Sequence, residues 1–244
     1  MQQLIINGKS YFELIDNGDL INSVNRTAAF VRSDLPHKYP LTFHNKESWI
    51  SLPKIDSHQM FLIQFHFKTS EENGLILYNN GQSNDNYLAI ELVDGQIYFM
   101  FSFGKTTINT IKSKTKRKLN DNKWHLVSVW RSTKTNYELS VDSLVYKFSS
   151  NNNEHGVFNL HDRLFVGGLR DSSKYDELKS KSKIISSYGY KGCLASFEIN
   201  GKTPDFDDVL NIKGRMHGNI TKGCESKFSC FFPYINKRIN VNLI

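Results

Sequence analysis

The chain has 244 residues, 31 Lys and Arg against 24 Asp and Glu for a formal charge of +7, and 39% hydrophobic and 13% aromatic residues. This composition excludes a collagen-like or coiled-coil chain, and the length fits one sizeable domain or two small ones. No apolar run approaches the ~18–20 residues of a membrane-spanning helix, and Met1–Gly8 has neither the basic start nor the apolar stretch of a secretory signal.

In chain order, the patterning is that of strands. Met60–Lys68 alternates, with Phe61, Ile63, Phe65 and Phe67 on one face and Gln64, His66 and Lys68 on the other, which predicts a half-buried strand. Gly74–Tyr78 and Asn86–Leu92 are further candidates, and Gly95–Phe103 repeats the alternation through Ile97, Phe99, Phe101 and Phe103. His125–Arg131 sets Val127 and Val129 against Leu126, Ser128 and Trp130, apolar enough on both sides for an interior strand. Tyr137–Asp142, Leu144–Phe148, Arg163–Gly167 and Cys193–Ile199 complete the set. The pairs Asn73-Gly74, Asp94-Gly95 and Asn200-Gly201 read as turns. Only two short helices are predicted, Tyr175–Ser182 and Phe206–Leu210. Many strands without interleaved helices argue for an all-β, antiparallel sandwich.

One heptapeptide recurs: Leu4-Ile5-Ile6-Asn7-Gly8-Lys9-Ser10 is similar to Phe197-Glu198-Ile199-Asn200-Gly201-Lys202-Thr203. The second copy closes a domain, so the first reads as the end of a preceding one, with residues 35–40 as linker. Cys193, Cys224 and Cys230 lack the spacing of a zinc site. A Cys193–Cys224 disulfide and two buried free thiols both fit the residues alone.

Enzyme signatures are missing: there is no G-x-S-x-G, H-E-x-x-H, P-loop or G-x-G-x-x-G. His44, His58, His66 and His125 stand without partner motifs. The least implausible enzyme is a lectin-like glycan-processing enzyme, which needs paired carboxylates. Asp205, Asp207 and Asp208 cluster, but as an acidic turn.

Six motifs then line up in order. They are Ser48-Trp49-Ile50-Ser51-Leu52-Pro53, the stretch from Phe65 to Thr69 with Asn73 to Tyr78, Tyr87 to Gly95, Leu119 to His125, Leu164-Phe165-Val166-Gly167-Gly168, and Gly189-Tyr190-Lys191-Gly192-Cys193. Together, over about residues 38–224, they resemble a laminin G-like domain, most closely the third such repeat of alpha-neurexin-type receptors. The resemblance implies a jelly-roll-like sandwich of about fourteen strands and a Cys193–Cys224 disulfide. It also implies that residues 1–36 are the tail of a preceding laminin G-like repeat plus linker, that residues 37–224 are the domain, and that residues 225–244 are a truncated start of an EGF-like module or a non-native tail, with Cys230 as that module's first cysteine.

The family's rim calcium site maps by spacing onto Asn86, Phe103, Val157 and Asn159, two side-chain oxygens and two backbone carbonyls. Asn86 stands where the family usually has Asp, so the set carries no formal charge and any affinity is expected at the weak extracellular end, about 10⁻⁴–10⁻³ M or poorer; the plain alternative is loop asparagines making turns.

A second candidate is basic: Lys112, Lys114, Lys116, Arg117 and Lys118 precede Leu119, with the four lysines on one side if the segment is extended. Lys174, Lys179, Lys181 and Lys183 form another cluster. Such stripes attract polyanions, heparan sulfate in an extracellular protein, and otherwise only solubilise. No nucleic-acid-binding signature is present. The triplets beginning at Asn25 and Asn219 are N-glycosylation sequons.

The reading is a non-catalytic extracellular adhesion or recognition module of a neurexin-like cell-surface protein, membrane-anchored outside this chain, that binds cell-surface or extracellular-matrix proteins, with calcium as a weak cofactor. A heparan-sulfate-binding basement-membrane module of laminin or agrin type is the alternative.

Overall fold

Strand β5 (Phe61–Lys68) shows how sequence becomes architecture here, because its residues alternate strictly between buried and half-buried. Phe61, Ile63, Phe65 and Phe67 are at most 2% exposed, so one face of the strand lies wholly in the core. The computed structural model describes residues 37–55, 60–81, 86–103, 108–133, 135–149, 160–181 and 183–224, Phe103 by its backbone alone, with the backbone of 5–6 and 9–10. The chain divides into two units, Met1–Pro36 and His37–Ile244.

In the first unit, β1 (Ile5–Ile6) pairs antiparallel with β2 (Lys9–Ser10), Ile6 opposite Lys9. The heptapeptide's second copy makes the equivalent pair, Ile199 opposite Lys202.

The second unit holds β3 (Leu41–Phe43), β4 (Trp49–Leu52), β5, β6 (Gly74–Asn80), β7 (Asn86–Val93), β8 (Gln96–Phe103) and β9 (Asn109–Lys112). It continues with β10 (His125–Arg131), β11 (Asn136–Val141), β12 (Leu144–Ser149), β13 (Leu164–Val166), helix α1 (Lys174–Ser180), β14 (Gly192–Ile199), helix α2 (Phe206–Asn211), β15 (Met216–His217) and β16 (Ile220–Lys222). These form two seven-stranded antiparallel sheets, β12-β11-β10-β5-β14-β3-β16 and β15-β4-β13-β6-β7-β8-β9. The all-β sandwich and its fourteen strands match expectation.

The core lies between the sheets, where Phe61 meets Phe99 edge-on and Phe101 stacks on Tyr137 at 4.4 Å. Strands β6 and β7 are buried without alternation. The reason is a second apolar layer on the other side of their sheet, where Tyr175 and Leu178 of α1, with Leu169 and Ile184, cover Leu75, Tyr78, Tyr87, Ala89 and Met100. A sheet covered on both faces reads as a continuous apolar run.

Glu91 projects into that layer and is fully buried, yet it accepts N–H bonds from Ile185 at 3.0 Å and Ser186 at 2.7 Å. It thereby pins the 183–186 segment to β7. Burial pushes its carboxyl above the ordinary range, and the amide donors oppose this.

The Asp94-Gly95 pair has both residues at positive φ and joins Val93 to Gln96, as a two-residue hairpin turn requires. A Cβ on Gly95 would also sit 2.6 Å from Asn120 Oδ1. The Asn73-Gly74 pair is not such a turn. Gly74 opens β6, and Asn73 Oδ1 instead accepts the Asp94 N–H at 2.9 Å. Strands β3, β4, β9, β15 and β16 were not expected; each has two to four residues and pairs far along the chain or at a sheet edge.

The Cys193–Cys224 bond is formed, with Cα atoms 5.8 Å apart, inside the usual range. It ties β14 to the end of β16 across β3. Cys230 lies outside the described residues.

Two stability outcomes follow. Replacing Cys193 and Cys224 together by Ala should lower the unfolding free energy by about 3–4 kcal/mol, the loop-closure entropy of a crosslink of this span, read by urea denaturation. Glu91→Ala leaves the Ile185 and Ser186 N–H groups without acceptors and should cost about 2–4 kcal/mol in the same assay; a loss below about 0.5 kcal/mol would mean the 183–186 segment does not depend on it.

Candidate functional site

Asn86 is the first residue of β7 and pairs directly with Phe103, the last of β8, so the Asn86 side chain and the Phe103 backbone share one end of the β7–β8 ladder. Asn86 Oδ1 is buried and has no hydrogen-bond partner among the described residues, an uncommon state for a buried acceptor. The Asn86 carbonyl accepts the Gly81 N–H at 2.6 Å, and Gly81 bridges Leu160. Val157 and Asn159 lie outside the described residues. Oxygen donors suit a hard cation, and an orphaned amide oxygen at this rim fits one. Among the described residues no group of three His, Cys, Asp or Glu side chains is placed to hold a metal.

The basic loop is built by alternation. Lys112 ends β9 opposite Tyr98 and holds its Nζ 4.9 Å from that ring. Ser113 turns inward: its N–H donates to Ile97 O at 2.8 Å, and its hydroxyl donates to Gln96 Oε1 at 2.9 Å. The Thr115 N–H donates to the same Gln96 oxygen at 3.0 Å. Leu119 is buried, and its N–H donates to Gly95 O at 2.8 Å. With Ser113, Thr115 and Leu119 fixed, Lys114, Lys116 and Arg117 are exposed and make no ion pair among the described residues. Lys118 differs. Its Nζ lies 2.8 Å from Glu72 and 2.6 Å from Asp94, and these bonds raise its pKa and hold the Asp94 carboxyl below its ordinary value. Among the described residues the loop therefore presents Lys114, Lys116 and Arg117 without an ion pair, beside Lys112, whose charge also acts on Asp94.

The other lysine cluster disperses. Lys181 pairs with Glu177 at 2.6 Å, and Lys183 is buried with its Nζ 5.3 Å from the Tyr87 ring centre. The acidic turn is structural: Asp205 Oδ1 accepts the Asp208 N–H to cap α2, Asp208 pairs with Arg215 at 2.8 Å, and Asp207 pairs with Lys222.

Asn219 is exposed between β15 and β16, while its carbonyl accepts the His44 N–H at 3.0 Å. Asn25 and His58 lie outside the described residues. His125 bonds Asp142 at 2.9 Å and Asp121 at 3.0 Å, and His44 bonds the Thr221 hydroxyl at 2.8 Å. The sequence reading missed Gln96, the residue that pins the basic loop. Its signal was its place just after the Asp94-Gly95 turn.

Comparison with known proteins adds the following. The family profile of the laminin G domain matches residues 67–202, more than half of the chain. The chain is 35% identical over 230 residues to Neurexin-3a of Danio rerio, covering 94% of this chain and 13% of that protein. It is 31% identical to Neurexin 1 of Drosophila melanogaster, covering 94% and 12%, and 30% identical to Neurexin-2 of Mus musculus, covering 91% and 12%. It thus spans about an eighth of the length of these relatives. Domains LG4-5 of the mouse laminin alpha1 chain superpose with a TM-score of 0.60 at 21% identity, covering 75% of this chain and 46% of that one. The LG1-3 region of the laminin alpha2 chain superposes at 0.62 and 21%, covering 77% and 35%. At that identity the laminin likeness speaks to the fold.

Proposed function

Because the chain belongs to the laminin G domain family, we propose that it is a non-catalytic extracellular recognition module, one segment of a neurexin-like cell-surface protein that is membrane-anchored elsewhere. It engages cell-surface or matrix partners through its rim and its basic loop. In this reading residues 1–36 end a preceding laminin G-like repeat, a view supported by the shared pairing of the two heptapeptide copies. Residues 225–244 begin an EGF-like module, and the domain itself corresponds to a third repeat. Asn219, exposed and followed by Ile220 and Thr221, is the better placed glycan acceptor.

The observation that carries the proposal is the basic loop, anchored by Gln96 and, among the described residues, without an ion pair at Lys114, Lys116 and Arg117. Pre-ordered cations lose little entropy on binding a polyanion, and heparan sulfate is the natural polyanion outside the cell. Replacing Lys114, Lys116 and Arg117 by Ala should lower the salt concentration that elutes the protein from a heparin column. The charge-matched control replaces Lys174, Lys202 and Lys213, exposed lysines elsewhere. Equal shifts in the two variants would mean that net charge, not the loop, governs retention.

The orphaned Asn86 oxygen supports calcium at the rim. Asn86 and Asn159 would supply side-chain oxygens and Phe103 and Val157 carbonyls, and the ion would stiffen the loops around them. Calorimetry should show binding no tighter than about 10⁻⁴ M, and Asn86→Asp should tighten it by adding a negative ligand at contact distance. Absence of a heat signal in both forms would remove calcium from this site.

A further inference from the structure

The second unit begins with a short segment, residues 37–40, that lies on the outer face of the β5–β14 sheet. Two hydrogen bonds hold it: the Lys38 N–H donates to Ser196 Oγ at 3.1 Å, and the Ser196 N–H donates to Lys38 O at 2.7 Å. Ser196 is free to make them because the β14–β5 register breaks between Ala195 and Glu198, leaving its amide out of the ladder. At the far end, Pro40 O accepts the Gly223 N–H at 2.8 Å.

The near end is aromatic. The His37 ring lies 4.2 Å from the Trp124 ring and 4.6 Å from the His66 ring. His66 projects from the outer face of β5, with Ala195 and Leu126 as its cross-strand neighbours. Its Nδ1 is buried and has no hydrogen-bond partner among the described residues. The segment is also strained, because Tyr39 sits at φ 50° with its side chain turned to solvent, 65% exposed. A bulky residue holds that backbone conformation only while its surroundings impose it.

We propose that residues 37–40 are a pH-gated strap, closed on the sheet by the His37–His66–Trp124 stack when both imidazoles are neutral and released when they take up protons. An imidazolium at position 66 would carry a buried Nδ1–H with no acceptor, 4.6 Å in ring-to-ring distance from a second cationic ring. Burial first, and His37 second, hold the His66 pKa below its ordinary value; Asp142 opposes them. The remaining titratable and charged groups on the packed elements are Lys38 and Tyr39 on the strap, Lys68 on β5, Lys123 beside Trp124, His125 on β10 with its partners Asp121 and Asp142, Arg131 at the other end of β10, and Glu198 on β14. The sign follows from proton binding. The open strap hydrates His66 and separates it from His37, so it binds protons more readily than the closed strap. The closed form is favoured as pH rises, and acidification through the imidazole range opens it.

The strap closes where the chain enters this domain, so its release would free the entry segment while the sandwich, crosslinked by Cys193–Cys224, stays folded. The test is amide hydrogen exchange on the full 244-residue chain, followed at Lys38 and Ser196 and corrected for intrinsic rates. Protection at both should fall at least about tenfold between about pH 7.5 and pH 5, across the imidazole range, while core amides of β5 and β10 keep theirs. His66→Phe retains the ring contact without a titrating nitrogen and should keep both amides protected at both pH values; His37→Phe is the second variant should the first fail to fold. Protection in the unmodified protein that does not change with pH, or an equal loss in the Phe variant, would overturn the strap.

Discussion

The Tyr190 side chain is fully buried, and its hydroxyl lies 2.9 Å from Lys68 O and 2.8 Å from Cys193 O, two carbonyls of the first sheet. The amide of the same residue donates to Gly167 O at 2.7 Å and Leu75 O at 3.1 Å, which belong to the second sheet or flank it. One residue thus satisfies backbone groups on both sheets while its ring meets Phe43 between them. A buried phenol demands such partners, and burial raises its pKa well above the ordinary value. The approach is close enough that Gly189 has no room for a side chain, since a Cβ there would lie 2.2 Å from Gly167 O. Fixing this crossing sets the end of β5 and the start of β14, and through β14 it sets the disulfide and the bulge at Ser196.

How much of this was legible depends on where the information sits. Strand β5 was legible because its burial alternates residue by residue, as a half-exposed strand must; β10 follows the same logic, with observed bounds equal to the expected ones, whereas β8 was legible from the apolar residues at every second position although its second half is buried on both faces. The Asp94-Gly95 turn was legible because two positive φ angles favour that pair. Strands β3 and β4 were not. Each is three or four residues long, β4 is buried at every position, and their partners β14, β13, β15 and β16 lie more than a hundred residues away. No local period can encode such pairing. The Asn73-Gly74 pair misled for a related reason: turn propensity cannot distinguish a glycine chosen for positive φ from one chosen because Gly189 and Tyr190 pass within 2.9 Å of where its Cβ would be.

Charge shows the same division. The sequence places five basic residues in the 112–118 stretch, but not their counter-ions. Glu72 and Asp94 are 46 and 24 residues from Lys118, and only folding brings them to it. The remaining four are held by Gln96, a neutral residue whose single amide oxygen orders the loop backbone. Lys183 is the opposite case, a member of an apparently solvated lysine run that the fold draws against Tyr87. A basic stripe in sequence is therefore an upper bound on a basic surface, and what survives pairing and burial is what a polyanion meets.

The bulge at Ser196 connects the core to the outer face. A regular β14 would direct the Ser196 N–H into the ladder and leave the 37–40 segment without its strongest bond. With the ladder broken there, Phe197 still enters the core and stacks on Phe65 at 5.8 Å, while Ser196 turns outward at φ 50°. The extra residue thus serves both sides of one sheet. The strap's hold on that outer side is modest by construction: two hydrogen bonds at one end, one at the other and an aromatic stack, set against a strained Tyr39. A contact of that size sits close to balance, and proton uptake by two facing histidines is enough to move it. The rim oxygens of Asn86 and the start of the basic loop belong to the β7–β8–β9 sheet, whereas the strap rests on the other sheet and on Trp124, in the segment that follows the loop. A change of proton occupancy at His66 therefore acts first on the segment by which the chain enters the domain, on the outer face of the sheet opposite the one that carries the Asn86 rim.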